Sequence, residues 1–437
     1  MSNAINANTS IASYDFIIAG AGGAGLSLLH YLMASPTLSS KSILVVDRSF
    51  EKTNDRTWCF WDTPNSAFEK LIHYQWNTIS VHNEGFNKAL PTSPFSYKMI
   101  QGIDFYNAIL QTARAKENIH FKQATILDIS VNTFSTSEGH SKKQAIVKWE
   151  GGAAKGNYVF SSLLPFQMNQ LSMTVAFEQF VQKNATKKNR LPFLWQHFKG
   201  RVIEFEEPLF NKSTATLMDF NVPQQAATAF MYQLPLSTTK ALVEYTIFSE
   251  KVLAIETYDE VLEGYLAKKF PEKKYTITHE EIGAIPMTQI QWGRTAAPIY
   301  TIGALGAAIK ASTGYAFQFI QKQCKNIVFQ LENNLPIQTK IHNTRHQFYD
   351  AVLLHILFHH KMKGADIFTR IFAKNEAATV FKFLSNTSSI WEDIKIMRSL
   401  PTSIFLPAAL QVLRSEEHTS ELQSLAYLVC RLLLEKK

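Results

Sequence analysis

The chain has 437 residues, of which 46% are apolar and 18% are charged. This composition excludes an intrinsically disordered chain, which would be poor in apolar residues and highly charged. No stretch approaches the roughly 18 uncharged apolar residues of a membrane-spanning helix, so the sequence also excludes a multi-span membrane protein. The 44 basic and 36 acidic side chains leave a net charge of +8, which is compatible with an anionic partner surface.

The cysteines and the N-terminus indicate a cytoplasmic protein. Cys59, Cys324 and Cys430 are far apart and form no CxxC motif, as expected in a reducing compartment. Residues 1–13 lack the basic start and the apolar stretch of a signal peptide. We expect them to be a disordered lead-in.

A strand–turn–helix–strand unit opens the folded part. A strand at Phe16–Ala19 leads into a G-x-G-x-x-G turn and a helix, and the second strand ends at Asp47. The glycines of this turn are Gly20, Gly22, Gly23 and Gly25. In a dinucleotide site they allow the tight turn, the approach of the pyrophosphate and the packing of the helix on the strand. Asp47 is placed to accept from a ribose hydroxyl, which favours FAD or NAD over NADP.

A second glycine-rich stretch, at 298–317, favours FAD. We predict a strand at Ile299–Ile302, a turn through Gly303 and Gly306, and a helix beginning near Ser312 and Thr313, ahead of Gly314. Backbone N–H groups of such a late turn can contact the ribityl phosphate and the isoalloxazine edge of a flavin. The alternative interpretation is an ordinary helix N-cap by Ser312 or Thr313.

The rest of the chain completes a mixed α/β pattern. Residues 101–118 have helical periodicity, several stretches between 119 and 250 alternate like strands, and 312–413 are mostly helical. RSEEHTSELQS (414–424) resembles a translated sequencing-library adapter, so we expect 414–437 to be an assembly artefact. A genuine amphipathic terminal helix is the alternative.

The octapeptide NDRTWCFW at 54–61 carries a family resemblance, because Trp and Cys are both uncommon residues. It resembles the signature of bacterial lycopene cyclases, in a Bacteroidetes-like form. Further segments agree with that family in order: FKGRVIEFEEP (198–208), TLMDF (216–220), LPLSTTKALVEYTIFSE (234–250), GAIPMT (283–288), KASTGYAF (310–317) and RHQFYDAVLLHIL (345–357). The resemblance spans about 14–413.

The resemblance implies a glutathione-reductase-like Rossmann fold that binds FAD, in three parts. These are a discontinuous FAD-binding domain (14–61, 101–165 and 281–330), an inserted β-rich substrate-binding domain (62–100 and 166–280) and a helical C-terminal region (331–413). The implied reaction is redox-neutral: acid-catalysed closure of β-ionone rings converts lycopene to γ-carotene and then β-carotene. Reduced FAD is the implied cofactor, with NAD(P)H only as the flavin reductant.

Two carboxylates are the candidate catalytic groups. Glu244, in LVEYT, aligns with the first acid of the family's Phe-Leu-Glu-Glu-Thr motif and is expected to be the general acid/base, while Tyr245 replaces the second acid. Protonating an alkene requires a carboxylic acid whose pKa is raised by an apolar pocket. A solvated strand glutamate is the alternative. Asp219 is expected either to orient Glu244 or to take the proton back, unless it simply closes a turn.

Aromatic and cationic side chains are expected around these acids. Arg56 and Trp58 are expected beside the flavin, and Trp58 is also counted with Phe230, Tyr232 and Phe317 among the substrate-binding residues. Ordinary core packing is the alternative for each. Arg201, Ala307 and Ala311 depart from the family's Trp, Gly and Pro, and Ser161 and Ser162 stand where an acid is expected.

Partners follow from the resemblance. A linear carotene resides in a bilayer, so we expect peripheral association with the inner membrane, with the basic run 183–190 as a docking segment. No motif supports nucleic-acid binding. The histidine pairs His342/His346 and His355/His359 lack an HExxH pattern, and no metal is expected. Two alternatives stay open: another FAD-dependent enzyme, a monooxygenase or prenyl reductase, or a non-catalytic carotenoid-binding relative.

Overall fold

The computed structural model describes residues 11–64, 66–135, 141–163, 192–289 and 297–415. Its strands are β1 Ala12–Ala19, β2 Ile43–Asp47, β3 Thr57–Asp62, β4 Tyr74–Trp76, β5 Thr78–Asn83, β6 Phe86–Pro91, β7 Ser96–Gln101, β8 Ile119–Gln123, β9 Ile126–Ser135, β10 Ser141–Trp149, β11 Gly152–Ser161, β12 Leu194–Phe205, β13 Thr214–Asp219, β14 Thr228–Pro235, β15 Lys240–Ser249, β16 Tyr275–Met287 and β17 Ile299–Thr301. Its α-helices are α1 Gly23–Ala34, α2 Gly102–Arg114, α3 Ile255–Lys269, α4 Phe317–Glu332, α5 Thr344–Phe358, α6 Gly364–Lys374, α7 Ala377–Leu384, α8 Ile390–Arg398 and α9 Thr402–Ser415.

The first sheet contains the predicted strand–turn–helix–strand unit. Its strand order is β8-β2-β1-β11-β10-β9, and β17 pairs with the end of β11. The strands β8, β2, β1, β11 and β17 run parallel, whereas β9 and β10 form an antiparallel extension. Because parallel strands end at the same edge, the turn after β1, the end of β2 and the turn after β17 all meet there.

The second sheet has the order β16-β12-β15-β14-β13-β5-β6 and is antiparallel except between β13 and β5. Side chains along β15 alternate between its two faces. Val243, Tyr245 and Ile247 pack in a core that includes α3, whereas Leu242 and Phe248 join a core made with the C-terminal helices. This period-two alternation decides which residues of β15 face the helices.

A third sheet has the order β3-β7-β4 and packs on both of the others, because Phe60 belongs to the core of the first sheet and Trp61 to a core of the second. The mixed α/β class predicted from the sequence is present. Two predicted domain boundaries, 61/62 and 280/281, fall inside β3 and β16, so neither marks a break in the chain's structure. The first strand begins at Ala12, four residues before the predicted start at Phe16.

Several predicted segments lie outside the described residues: most of the lead-in, the basic run 183–190 and the tail after Ser415. Among the residues that the structure describes, no helix has both the length and the apolar character needed to cross a bilayer.

Candidate functional site

The glycine turn after β1 is tightly built. Gly20 has a φ of +100° and donates its N–H to the Val46 carbonyl at 2.8 Å. A Cβ on Gly25 would lie 1.9 Å from the Gly20 carbonyl oxygen, so only glycine lets α1 pack this closely. A Cβ on Gly22, by contrast, would meet no atom within 4 Å, and no side chain caps the start of α1. The turn therefore presents free backbone N–H groups to an open space.

Asp47 closes this space at the end of β2. Its carboxylate accepts the Ala21 N–H at 2.5 Å and the Ser49 N–H at 3.0 Å, and the ammonium of Lys52 lies 3.6 Å away. The acid thus braces the glycine turn and keeps lone pairs for a further donor.

The late glycine-rich segment lies against the same turn. A Cβ on Gly303 would lie 2.7 Å from the Cβ of Ala24 in α1, and one on Gly306 would lie 2.3 Å from the Thr301 carbonyl oxygen. Ala307 has a φ of +57°, a left-handed conformation that suits the glycine expected there. The two segments predicted to share one cofactor are therefore neighbours.

The predicted helix start near Ser312 and Thr313 is wrong, because α4 begins at Phe317. Ser312 uses its hydroxyl to donate to Asp350 at 2.7 Å and does not cap a helix. The hydroxyl of Thr313 is buried and has no hydrogen-bond partner among the described residues. Gly314 follows with a φ of +71° and packs against the side chain of Gln196.

Glu244 lies in β15 on the face toward the C-terminal helices, where only 8% of its surface is exposed. Its hydroxyl neighbour is Thr246, which donates to the carboxyl at 2.8 Å. A hydrogen bond also joins Glu244 to Glu281 of β16, which is equally buried. A solvated strand glutamate is therefore not what the structure contains.

Burial and charge favour the protonated form of this pair. Burial raises the pKa of Glu244, and the adjacent Glu281 raises it further, to about 8. Burial also raises the pKa of Glu281, although its hydrogen bond from Thr57 opposes that shift. At neutral pH the pair therefore keeps a proton in an apolar setting.

Strand β3 connects the acid pair to the glycine turn. Thr57 donates its hydroxyl to Glu281 at 2.9 Å, while the next residue, Trp58, has its ring 2.8 Å from where a Cβ on Gly23 would lie. Phe60 faces the same side as Trp58 and stacks on Phe317 at 4.7 Å between ring centres. The alternation of one strand thus serves both regions.

The structure divides the predicted aromatic residues between two places. Trp58 lies against the glycine turn and Phe317 lies beside Trp58, so the structure does not bring these two together with the other predicted substrate-binding residues. Phe230 and Tyr232 lie on the acid side, in or against the core of the C-terminal helices. Arg56 is half-exposed and pairs with the adjacent Asp55 at 2.6 Å.

A cluster of hydroxyls surrounds the acid pair. Tyr232, which pairs with Glu244 across β14 and β15, has its hydroxyl 2.5 Å from that of Tyr97, and the Tyr315 hydroxyl lies 3.4 Å from Tyr97. The thiol of Cys59 bonds to Tyr232 and Tyr97, and burial raises its pKa. Burial likewise raises the pKa of each tyrosine, so the cluster stays uncharged.

Asp219 does not support Glu244. It accepts the hydroxyl of Tyr265 in α3 at 2.8 Å and the side-chain amide of Asn221 at 2.8 Å, on the opposite face of the sheet. The prediction that Asp219 orients Glu244 is therefore wrong. The physical reason is an irregular register between Thr216 and Asp219, which turns the carboxyl toward α3.

Arg201, one of the departures from the expected family pattern, is also explained by its surroundings. It is buried on the α3 side of β12 and pairs with Asp259 at 2.6 Å and Glu280 at 2.9 Å. The guanidinium is fully engaged there and faces away from the acid pair.

An apolar cavity lies between the second sheet and the C-terminal helices. Aromatic and aliphatic side chains make up most of its wall, among them Phe348, Phe368, Phe372 and Phe405, and Tyr315 lies at the end nearest the hydroxyl cluster. The ring of Phe230 contacts that of Phe248, which in turn contacts the wall residue Phe368.

A family model described as "Lycopene cyclase protein" matches residues 15–409, which is most of the chain. The chain belongs to the lycopene cyclase protein family. A comparison with curated proteins found no match.

Solved structures share the fold of this lycopene cyclase family member at low sequence identity. A geranylgeranyl bacteriochlorophyll reductase-like protein from Thermoplasma acidophilum is 11% identical, with a TM-score of 0.54 over 93% of this chain and 100% of that one. The p-nitrophenol 4-monooxygenase PnpA from Pseudomonas putida is 9% identical, with a TM-score of 0.51 over 97% and 98%. A variant of HpxO from Klebsiella pneumoniae, complexed with FAD, is 11% identical, with a TM-score of 0.50 over 95% and 98%. The fold is that of FAD-dependent oxidoreductases and monooxygenases.

The residues present fit FAD, which this fold implies. The open space beside Gly22, the uncapped N-terminus of α1 and the carboxylate of Asp47 offer what a pyrophosphate and a ribose require. Gly303 of the late segment lies against α1 beside this space.

Sequence reasoning missed the contacts of Glu281 and Thr57 and the cavity that the predicted C-terminal helices line. Glu281 stands two residues before the start of the GAIPMT segment, and the alternation of β16 puts it on the other face from Glu280, which pairs with Arg201. The alternation of residues 275–287 can be read from the sequence, but the pairing of this strand with β12 cannot.

Proposed function

We propose that this protein is a lycopene β-cyclase that closes β-ionone rings by acid catalysis with no net redox change. The observation that carries the proposal is the buried Glu244, whose pKa is raised by burial and by Glu281, set near buried hydroxyls and an apolar cavity. A solvated glutamate is ionised at neutral pH and has no proton to give, whereas burial keeps a transferable proton on Glu244, as protonation of a hydrocarbon requires.

Glu244 is the proposed acid and base. Its proton moves to the terminal double bond, whose electron pair forms the new C–H bond and leaves a tertiary cation. The neighbouring double bond supplies the electrons for the ring C–C bond, and a ring proton then returns to the Glu244 carboxylate. Atoms and electrons balance, so the residue emerges unchanged after each ring.

The surroundings of Glu244 protect the cation. Tyr97 is buried and Tyr232 and Tyr315 are partly buried, so the faces of their rings can stabilise positive charge. When bound, reduced FAD would supply electron-rich charge near the cation, and NAD(P)H would serve only to reduce it. Gly20, Gly22, Gly25 and Asp47 would hold its adenosine diphosphate portion.

Substrate access is proposed to occur at a membrane. The linear carotene is a hydrocarbon held in the bilayer, and a net charge of +8 favours contact with anionic lipid. We propose a peripheral position on the cytoplasmic side of the inner membrane.

Expression in lycopene-producing cells, followed by pigment chromatography, tests the function. The native chain is expected to convert lycopene to γ-carotene and β-carotene. Glu244→Gln is expected to lower conversion at least 100-fold, since general acid catalysis contributes about 10²–10⁴-fold. A flavin-loaded, folded native protein that leaves lycopene unchanged would contradict the proposal.

The consumption of NAD(P)H separates this function from the alternatives. A monooxygenase or prenyl reductase consumes one equivalent for each product, whereas a cyclase consumes far less once its flavin is reduced. A non-catalytic carotenoid-binding protein would retain lycopene without converting it.

A further inference from the structure

Glu244 and Glu281 meet across a residue that has no side chain. In the second sheet, β12 lies between β15 and β16, and Gly200 of β12 pairs with Glu244 on one side and Glu281 on the other. A Cβ on Gly200 would lie 3.3 Å from the Cβ of Glu244 and 3.3 Å from the Cγ of Glu281. Two strands that are not neighbours thus bring their carboxyls together over the gap at Gly200.

The contacts of the two acids differ. Glu281 accepts a hydrogen bond from Thr57 at 2.9 Å, which stabilises its carboxylate form. Glu244 likewise accepts from Thr246, at 2.8 Å, but Glu281 also has Arg56 and His279 beside it, and both lower the pKa of Glu281. The proton shared by the pair therefore belongs on Glu244, with Glu281 as its acceptor.

Other titratable groups surround the pair on every packed element. Arg56 directly precedes β3, and Cys59 lies within it. The others are Tyr97 of β7, Tyr232 of β14, His279 of β16 and Tyr315 of the late segment. Among these, Arg56 and His279 act on Glu281, Tyr315 interacts with Glu244, and Cys59 interacts with both acids.

We propose that Glu281 is a positioning residue that holds the transferable proton on Glu244 and orients it, through the hydrogen bond made across Gly200. This inference rests on the proposed function. When Glu244 gives its proton to the alkene, two adjacent carboxylates remain beside the cation and stabilise it. Their mutual repulsion then favours the return of the ring proton to Glu244, so the proton count is restored.

The pH dependence of cyclisation tests this role. Activity requires protonated Glu244, so it falls as pH rises through the pKa of that residue, which lies at about 8. Glu281→Gln removes the negative charge that raises this pKa, so the alkaline limb should move to lower pH by roughly one unit. Glu281→Asp keeps the charge and should leave the limb nearer its native position. The assay uses the FAD-loaded protein, chemically reduced, with liposomes containing lycopene.

Glu280→Gln is the matched control, since it is the adjacent residue of β16 but bonds to Arg201 on the other face. Its alkaline limb should coincide with that of the native protein. An unchanged limb in Glu281→Gln would overturn the inference even though cyclisation itself proceeds. If the native protein does not cyclise lycopene, the proposed function fails instead.

Infrared spectra supply a readout that is independent of turnover. Titration of the native protein should show a protonated carboxyl band that persists to about pH 8 and is absent from Glu244→Gln. In Glu281→Gln this band should disappear at lower pH. A band that titrates identically with and without Glu281 would contradict the positioning role.

Discussion

Ala307 shows how a single residue departs from what its backbone requires. Its φ of +57° places an L side chain in the left-handed region, and its carbonyl accepts from His342 at 2.7 Å, which fixes the turn. The left-handed conformation costs a residue with a Cβ about 1–2 kcal/mol. The turn therefore forms despite alanine, held by its neighbours.

Ala307→Gly should increase the free energy of unfolding by about 1 kcal/mol, because glycine adopts this φ without strain. Thermal and denaturant unfolding measure the change. Ala304→Gly, in the preceding 3₁₀ turn where φ is negative, is the control and should lower stability by roughly 0.5–1 kcal/mol. Equal effects of the two substitutions would contradict the account of Ala307.

At the scale of elements, the strand–turn–helix unit was predictable from the sequence because its glycines act locally. Spacing alone identifies the turn, the helix start and the acid at the end of β2. The start of α4 was not predictable in the same way. Serine is a residue type that often caps helices, but the Ser312 hydroxyl donates to Asp350 of α5, which is distant in sequence. Tertiary contacts overrode the local pattern.

Alanine substitutions at Gly25 and Gly22 of the first turn should have different effects, one on stability and the other on flavin binding. Gly25→Ala places a methyl 1.9 Å from the Gly20 carbonyl oxygen, so α1 must move and the protein should lose stability with or without FAD. Gly22→Ala meets no atom within 4 Å, so the fold should persist while the methyl obstructs the approach of the pyrophosphate. Flavin absorbance per chain, together with the melting temperature of the flavin-free protein, separates the two effects. Full flavin content in Gly22→Ala would contradict the proposed binding mode.

At the scale of the whole molecule, a buried ion pair connects the late glycine-rich segment to the C-terminal helices. Lys310 is fully buried, and its ammonium lies 2.7 Å from Asp350 and 2.7 Å from the amide oxygen of Asn386. Asp350 also holds Ser312. The segment that borders the FAD region and the helices that form the cavity are thus joined at one point.

Asp350→Asn should destabilise the protein by about 3–5 kcal/mol, because it leaves the buried ammonium without its counter-charge. The double variant Lys310→Met/Asp350→Leu should recover most of this loss. Glu207→Gln, which removes the half-exposed pair with Lys273, is the control and should change stability by less than about 1 kcal/mol. Denaturant unfolding measures all three, and native stability in Asp350→Asn would contradict the role of the pair.

Contacts between distant parts of the chain explain why Glu281 and the cavity could not be predicted from the sequence. Glu244 was identified from its motif, and its burial was expected from the apolar residues beside it. Glu281 could not be assigned to the site, because its proximity depends on β12 lying between two strands that are distant in sequence. The cavity depends on the packing of five helices whose partners no local pattern specifies.

Gly200 has a consequence for protein engineering. It contributes no polar atom to the acid pair, so a mutant library directed at polar or pocket-lining positions would overlook it. Yet every other residue type adds a Cβ within 3.3 Å of both glutamates. Libraries that seek altered ring chemistry should therefore keep codon 200 invariant, while a single substitution there offers a compact way to switch the pair off.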